Sequence, residues 1–361
     1  MKMENQTIKI STDVLIEKTI LASVLDNGFW HRWIVHGIDK EFIEENKSKM
    51  INLKGWTETL AVRASDYLNM AQKCLETGDS LQAEKNYRKA GIYYNLIQWV
   101  FPESNEQRTE WYQRCIEQFS IADQVSKDKI FRHTLNINGK KYGGRIRVPN
   151  GDIAGIVILI IPIDSTKEEL YLYEEDFSKS GFIVISFDGP GQGETLHIHR
   201  QKADFDSWES FTNGVIEYAN TNFPNLPINL FGTSSGGAWA IEASKHPLVA
   251  KTISVSPPTK YQSDIRLPDY FKERMNNMLE NFEKGFLPQF ENVEKVGSIL
   301  VFHGGKDLLV NEEELIELFN RFATEKRFIT YKDEGHCCNF KLEEIRYRAS
   351  EWFKGRNIHD I

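Results

Sequence analysis

Gly232-Thr233-Ser234-Ser235-Gly236 sets a serine between two glycines at the spacing of a sharp strand-to-helix turn. The apolar run Ile228–Phe231 leads into it, and the helix former Ala238-Trp239-Ala240-Ile241 leaves it. In that context the glycines permit a turn too tight for side chains, and the Ser234 hydroxyl is presented as a nucleophile. The helix N-terminus behind it offers backbone N–H groups to a developing oxyanion, with Ser235 N–H as the expected first donor. A serine hydroxyl attacks only when a base takes its proton, and that base needs a carboxylate to orient it. Ile299–Phe302 runs into His303-Gly304-Gly305-Lys306-Asp307, and Arg327–Tyr331 runs into Lys332-Asp333-Glu334-Gly335-His336. Asp307 and His336 therefore lie just past successive strand ends, in the order serine, acid, histidine that this turn requires. Asp333 is the alternative acid. The other histidines fit less well: His303 is too close to its strand, His197 and His199 follow an earlier one, and His246 ends the helix after Ser234. A second oxyanion donor is expected from the loop Pro162-Ile163-Asp164-Ser165, with Ile163 N–H as the candidate and Asp164 the alternative one residue on.

Three other stretches invite chemistry and do not carry it. Asp188-Gly189-Pro190-Gly191-Gln192-Gly193-Glu194 follows a strand, but its glycines do not form a dinucleotide fingerprint. Gly304-Gly305-Lys306 lacks the rest of a phosphate loop, and His197-x-His199 has no partner motif for a metal. Neither a metal nor a cofactor is expected.

The elements that must position these residues fall into two regions. Up to about Ser126 the period is helical. Leu60, Ala64, Tyr67, Ala71 and Cys74 share one face, and Ala83, Tyr87, Ala90, Tyr94, Ile97 and Phe101 share another. Asp79 with Gln82, and Ser104 with Gln107, read as capping boxes. Short connections imply antiparallel helices. From about Lys127 apolar strands alternate with amphipathic helices, after a hairpin around Asn138-Gly139. The strands are Phe131–Ile137, Lys141–Val148, Ile153–Ile161, Phe182–Phe187, Ile228–Phe231, Thr252–Val255, Ile299–Phe302 and Arg327–Tyr331; helices include Lys167–Lys179, Trp208–Ala219 and Glu312–Phe322. The expected fold is α/β, a mostly parallel central sheet with helices on both faces, preceded by an all-helical cap. The expected boundaries are 1–127 for the cap and 128–361 for the catalytic domain, with a lid-like excursion at about 258–296 that includes a helix-like Asp269–Glu283.

A net charge of −8 argues against a nucleic-acid partner. Met1–Gln6 has no apolar signal core, and the run from Ile153 to Ile163 is too short to span a bilayer. Cys74, Cys115, Cys337 and Cys338 form no C-x-x-C pair. A cytoplasmic protein acting on a small molecule, without membrane or nucleic acid, is the expectation. Phe29-Trp30-His31-Arg32-Trp33 concentrates aromatics with a histidine and an arginine, so Trp30, His31 and Arg32, with Tyr94, are candidates for substrate binding; packing and surface roles are the alternative.

Ser234, Asp307 and His336, taken with Asp164-Ser165-Thr166-Lys167-Glu168-Glu169 and Asp188-Gly189-Pro190-Gly191-Gln192-Gly193-Glu194, resemble one branch of the α/β-hydrolase superfamily. That branch includes 2,6-dihydroxypseudooxynicotine hydrolase, the polyketide-shortening C–C hydrolases and the fermentation-respiration switch proteins. The likeness covers almost the whole chain, including the preceding helical domain. One position departs: Pro162 stands where the branch usually has glycine before the oxyanion residue. The resemblance implies hydrolysis of a C–C bond next to a carbonyl in a β-diketone, aryl-ketone or polyketide-like compound, through an acyl-enzyme, and by analogy a homodimer. Ester or thioester hydrolysis is the alternative, followed by a peptidase-like acyl hydrolase or a binding module without turnover.

Overall fold

The computed structural model describes residues 11–260 and 269–356. Six helices come first: α1 (Thr12–Leu25), α2 (Asn27–Val35), α3 (Lys40–Asn46), α4 (Leu53–Glu76), α5 (Ser80–Trp99) and α6 (Glu106–Val125). Each side-chain cap removes an unpaired first-turn N–H. Asp79 accepts from Gln82 N at the start of α5. At α6 the cap is Asn105, bonded to Arg108 N at 2.8 Å. Ser104, the expected cap, instead lies with its hydroxyl 2.8 Å from His197 Nδ1. Helix α5 packs between α4 and α6 and is buried on nearly every side from Ala83 to Trp99. Its core partners include Trp33, Trp56, Tyr112 and Phe119.

The strands are β1 (Lys129–Ile137), β2 (Lys140–Val148), β3 (Gly155–Ile160), β4 (Phe182–Phe187), β5 (Ile228–Thr233), β6 (Val249–Val255), β7 (Ser298–Gly304) and β8 (Lys326–Tyr331). They form one eight-stranded sheet in the order β1-β2-β4-β3-β5-β6-β7-β8. Strand β2 runs antiparallel to β1 and to β4, and every later pairing is parallel. The β1–β2 turn carries positive φ at both Asn138 (53°) and Gly139 (80°), the mirror-type turn that matches strand twist. Strands β3, β4 and β5 are buried at every position, as a sheet covered on both faces requires. Helices α7 (Tyr171–Lys179), α8 (Gly193–His197), α9 (Phe205–Asn222), α10 (Ser235–Ala243), α11 (Asp269–Met278), α12 (Glu312–Asn320) and α13 (Leu342–Phe353) complete the chain.

Two elements differ from the sequence expectation. Helix α7 starts at Tyr171 rather than Lys167, because the intervening residues form tight turns whose side chains are committed to other contacts. Within the lid-like excursion, α11 ends at Met278 rather than Glu283, and residues 261–268 lie outside the described residues. Among the described residues no helix is long and apolar enough to cross a membrane.

The helical layer meets the sheet region through polar contacts made by residues 164–169. Asn95 Nδ2 donates to Thr166 Oγ1 at 3.0 Å, Trp99 Nε1 to Asp164 Oδ2 at 2.9 Å, and Tyr112 Oη to Glu168 Oε2 at 2.8 Å. Lys167 is fully buried, and its ammonium is 2.8 Å from Asp188, 3.0 Å from Glu168 and 2.8 Å from Glu194. Asp188 also accepts from the backbone N–H of Lys167 and of Glu194. Burial would neutralise such a lysine, but three carboxylates hold it charged, its pKa pushed above the usual lysine range.

Candidate active site

Ser234 occupies the N-cap of α10 at φ 51°, ψ −127°, a conformation that L-residues rarely adopt. Crowding shows why both flanking positions are glycine. A Cβ on Gly232 would sit 2.2 Å from Gly236 O, and one on Gly236 would sit 2.0 Å from Ile160 O. The strained turn is tied to the sheet by Ser234 N–H, which donates to Val255 O at 2.8 Å.

His336 follows β8 at the start of a short 3₁₀ segment, His336–Lys341. Its Nε2 is 2.8 Å from Ser234 Oγ, and its Nδ1 is 2.9 Å from Asp307 Oδ2. The other oxygen of Asp307 accepts the N–H groups of Leu309 and Val310 at 2.8 and 3.0 Å. Burial alone would raise the Asp307 carboxyl, but these donors and His336 hold it below its usual range. An ionised Asp307 fixes the proton on Nδ1 and leaves Nε2 to accept from Ser234. Burial pulls the His336 ring down; Cys337 and Asp307 outweigh it, and the imidazole is held well above its ordinary value. Asp333, the alternative acid, is exposed and pairs with Lys306 at 2.8 Å. His303 Nδ1 lies 4.0 Å from Asp307 Oδ2, the oxygen that His336 holds at 2.9 Å.

Ser235 is the first residue of α10, so its N–H has no intrahelical acceptor. Ile163 N–H reaches the same corner and donates to Ser235 Oγ at 2.9 Å. The loop that carries it is braced by Gln192, whose amide donates to Ile161 O at 2.9 Å and Pro162 O at 2.8 Å. Pro162 O also accepts Ser165 N–H at 3.0 Å, so the proline opens a turn where its missing N–H costs nothing.

Ser234 and His336 open onto a cavity of about 540 Å³ between α2, the 162–165 loop, α7, α11 and the 333–340 segment. Of the four residues proposed for substrate contact, two reach it. His31 lines the wall with its ring 4.7 Å from that of Phe340. Arg32 also lines it, but its guanidinium is committed to Glu169 at 2.7 and 2.8 Å, to Asp164 O at 2.7 Å and to Ser165 Oγ at 3.0 Å. Trp30 and Tyr94 do not reach the cavity. Trp30 is packed in the helical core 5.7 Å from Trp56, and Tyr94 stacks on Trp111 at 5.9 Å, because the inner faces of α2 and α5 are taken up by helix packing. Sequence reasoning did not single out His36, Glu169, Tyr173, Phe271 or Phe340, which also line the cavity. Only Glu169 carried a signal, its place in the 164–169 stretch.

A family profile described as serine aminopeptidase, S33, matches residues 171–289. The 2,6-dihydropseudooxynicotine hydrolase of Paenarthrobacter nicotinovorans is 26% identical over 229 residues, covering 62% of this chain and 61% of that protein. The hydrolyase poxO of Penicillium oxalicum is 24% identical over 229 residues, 56% of this chain and 52% of that one. The chain thus spans between half and two-thirds of the length of these relatives. The crystal structure of the 2,6-dihydroxy-pseudo-oxynicotine hydrolase superposes with a TM-score of 0.78 at 21% identity, covering 90% of this chain and 95% of that one. The chain thus has the fold of the α/β-hydrolases, and over 62% of its length it is similar to the 2,6-dihydropseudooxynicotine hydrolase.

Proposed function

We propose that this chain is a serine hydrolase that cleaves a C–C bond next to a carbonyl in a β-diketone, aryl-ketone or polyketide-like substrate. The observation that carries the reading is the unbroken hydrogen-bonded line Asp307–His336–Ser234 opening onto a cavity. The similarity to a pseudooxynicotine hydrolase supports the choice of bond. In this reading residues 1–127 are the cap that roofs the site, and the excursion at about 258–296 is its lid.

Ser234 Oγ adds to the substrate carbonyl while its proton passes to His336 Nε2. The oxyanion is received by Ser235 N–H, and by Ile163 N–H once it turns from the Ser235 hydroxyl. Collapse restores the carbonyl and breaks the C–C bond, sending the electron pair to the leaving carbon as an enolate. The His336 imidazolium returns the proton to it. Water, deprotonated by His336, then attacks the acyl-enzyme, releasing a carboxylic acid and regenerating Ser234.

Two measurements test this. A fluorophosphonate probe should label the folded protein and fail to label Ser234→Ala; absence of wild-type labelling sinks the hydrolase reading. Mass spectrometry of a β-diketone panel beside a thioester panel should show diketone cleavage, and turnover of thioesters alone would leave ester-type hydrolysis as the function.

A further inference from the structure

The cavity holds a second carboxylate–histidine–hydroxyl line besides the one that ends on Ser234. Glu169 Oε1 lies 3.3 Å from His36 Nδ1, and His36 Nε2 lies 3.3 Å from the hydroxyl of Tyr173. All three line the cavity and are nearly inaccessible to solvent. They come from three places: His36 from the C-terminal end of α2, Glu169 from the loop before α7, and Tyr173 from α7 itself. Arg32 fixes both oxygens of Glu169. The Tyr173 ring is held by Arg346 over one face at 4.6 Å and by Phe231 at its edge.

The polarity of this line follows from its charged end. Glu169 would be raised by burial, but Arg32 and His36 hold it at about 2, so it is an acceptor only. In the tautomer with its proton on Nδ1, toward Glu169, His36 Nε2 is the acceptor and the Tyr173 hydroxyl the donor. Burial also pushes the Tyr173 phenol up, which keeps its proton in place.

We propose that Tyr173 is a catalytic hydrogen-bond donor to the second oxygen of the substrate, the one on which enolate charge builds as carbon leaves; His36 and Glu169 are its positioning residues. This assignment rests on the C–C reading above. A neutral imidazole nitrogen is a weaker acceptor than an enolate oxygen, so the phenol proton turns to the substrate as charge develops and returns afterwards. The interaction is therefore stronger in the transition state than in the ground state, which is what accelerates a reaction. It involves no proton transfer. It also separates substrates: a phenolate or thiolate leaving group departs without such a donor, whereas a carbon leaving group does not.

Tyr173→Phe keeps the ring packing and removes only the hydroxyl. The expected result is a fall of about 100-fold in kcat on a β-diketone, with little change in KM, from the loss of one such donor. Hydrolysis of a p-nitrophenyl ester by the same variant should stay within about twofold, a split that misfolding or loosened packing would not produce. His36→Gln, which retains one hydrogen-bonding group, should show the same split in weaker form. Equal loss on both substrates, or loss on neither, overturns the assignment of Tyr173 while leaving the C–C reading intact. A wild-type protein that hydrolyses the ester but no diketone defeats the C–C reading, and this proposal with it.

Discussion

In the proposed reaction Ser234, His336 and Asp307 act as a unit only in one protonation state, and that makes the site testable residue by residue. Ser234→Ala should lower turnover by about 10⁶-fold, and Asp307→Asn by about 10⁴-fold because an amide orients the wrong tautomer; steady-state kinetics on any accepted ester reads both. The base must be neutral to take the serine proton. Because His336 is held well above its ordinary value, the rising limb of kcat/KM against pH should lie on the alkaline side of 6.5, not on it. Asp307, ionised and hydrogen-bonded to the ring, contributes to that upward shift, so in Asp307→Asn the limb should move to lower pH. A limb that stays near 6.5 in the wild type, or one that does not move in the variant, contradicts this account of the electrostatics.

At the scale of elements, α11 is fastened by one buried arginine. Arg274 donates to Asp164 Oδ1 at 2.7 Å and to the carbonyls of Trp99 and Phe101, and its guanidinium lies 4.1 Å from the centre of the Trp99 ring. Arg274→Met leaves Asp164 and two carbonyls without this donor and should destabilise the protein by about 3 kcal/mol, measured by denaturant unfolding. Phe271 of the same helix lines the cavity, so KM should rise more than kcat falls. Much of this layer of organisation was legible in the primary structure. All eight strands stand within a few residues of their apolar runs, and Asp307 and His336 follow the ends of β7 and β8 because strand termini are marked by glycine and charge. What could not be read were the partners of the helical segment. Helical periodicity identifies a buried face but not what covers it, so Trp30 and Tyr94 passed for cavity residues. Arg32 and Glu169 are 137 positions apart, and nothing local to either predicts their pairing. For the same reason the 164–169 stretch could be noticed but not explained: its side chains are explained by α2, α5, α6 and α11.

For the molecule as a whole, stability depends on buried charge between the helical layer and the sheet region. Glu169 and Glu194 would each be raised by burial, but their cationic neighbours hold both at about 2 against an ordinary 4.5. A depressed carboxylate stabilises the fold fully above its unfolded value, and the contribution is lost as pH falls through the folded one. The melting temperature should therefore decline between about pH 4.5 and pH 2, as followed by calorimetry; a flat profile across that window would show that these pairs do not couple to folding. Lys167→Met tests the same dependence at neutral pH. It removes the one ammonium shared by three carboxylates and should cost about 3 kcal/mol, enough to lower the yield of folded protein on expression.

The docking stretch 164–169 has a consequence for how such a protein can diversify. Its side chains are read by four different helices, α2, α5, α6 and α11, and Asp164 alone serves Arg32, Trp99 and Arg274. A chimaera that takes its first 127 residues from a relative would strand those groups unless 164–169 and 188–194 travel with them. Exchange of the helical segment alone should therefore destabilise the product, as denaturant unfolding of such a chimaera would read. Stepwise change remains open at positions such as His31 and Phe340, which line the cavity and whose rings pack on each other.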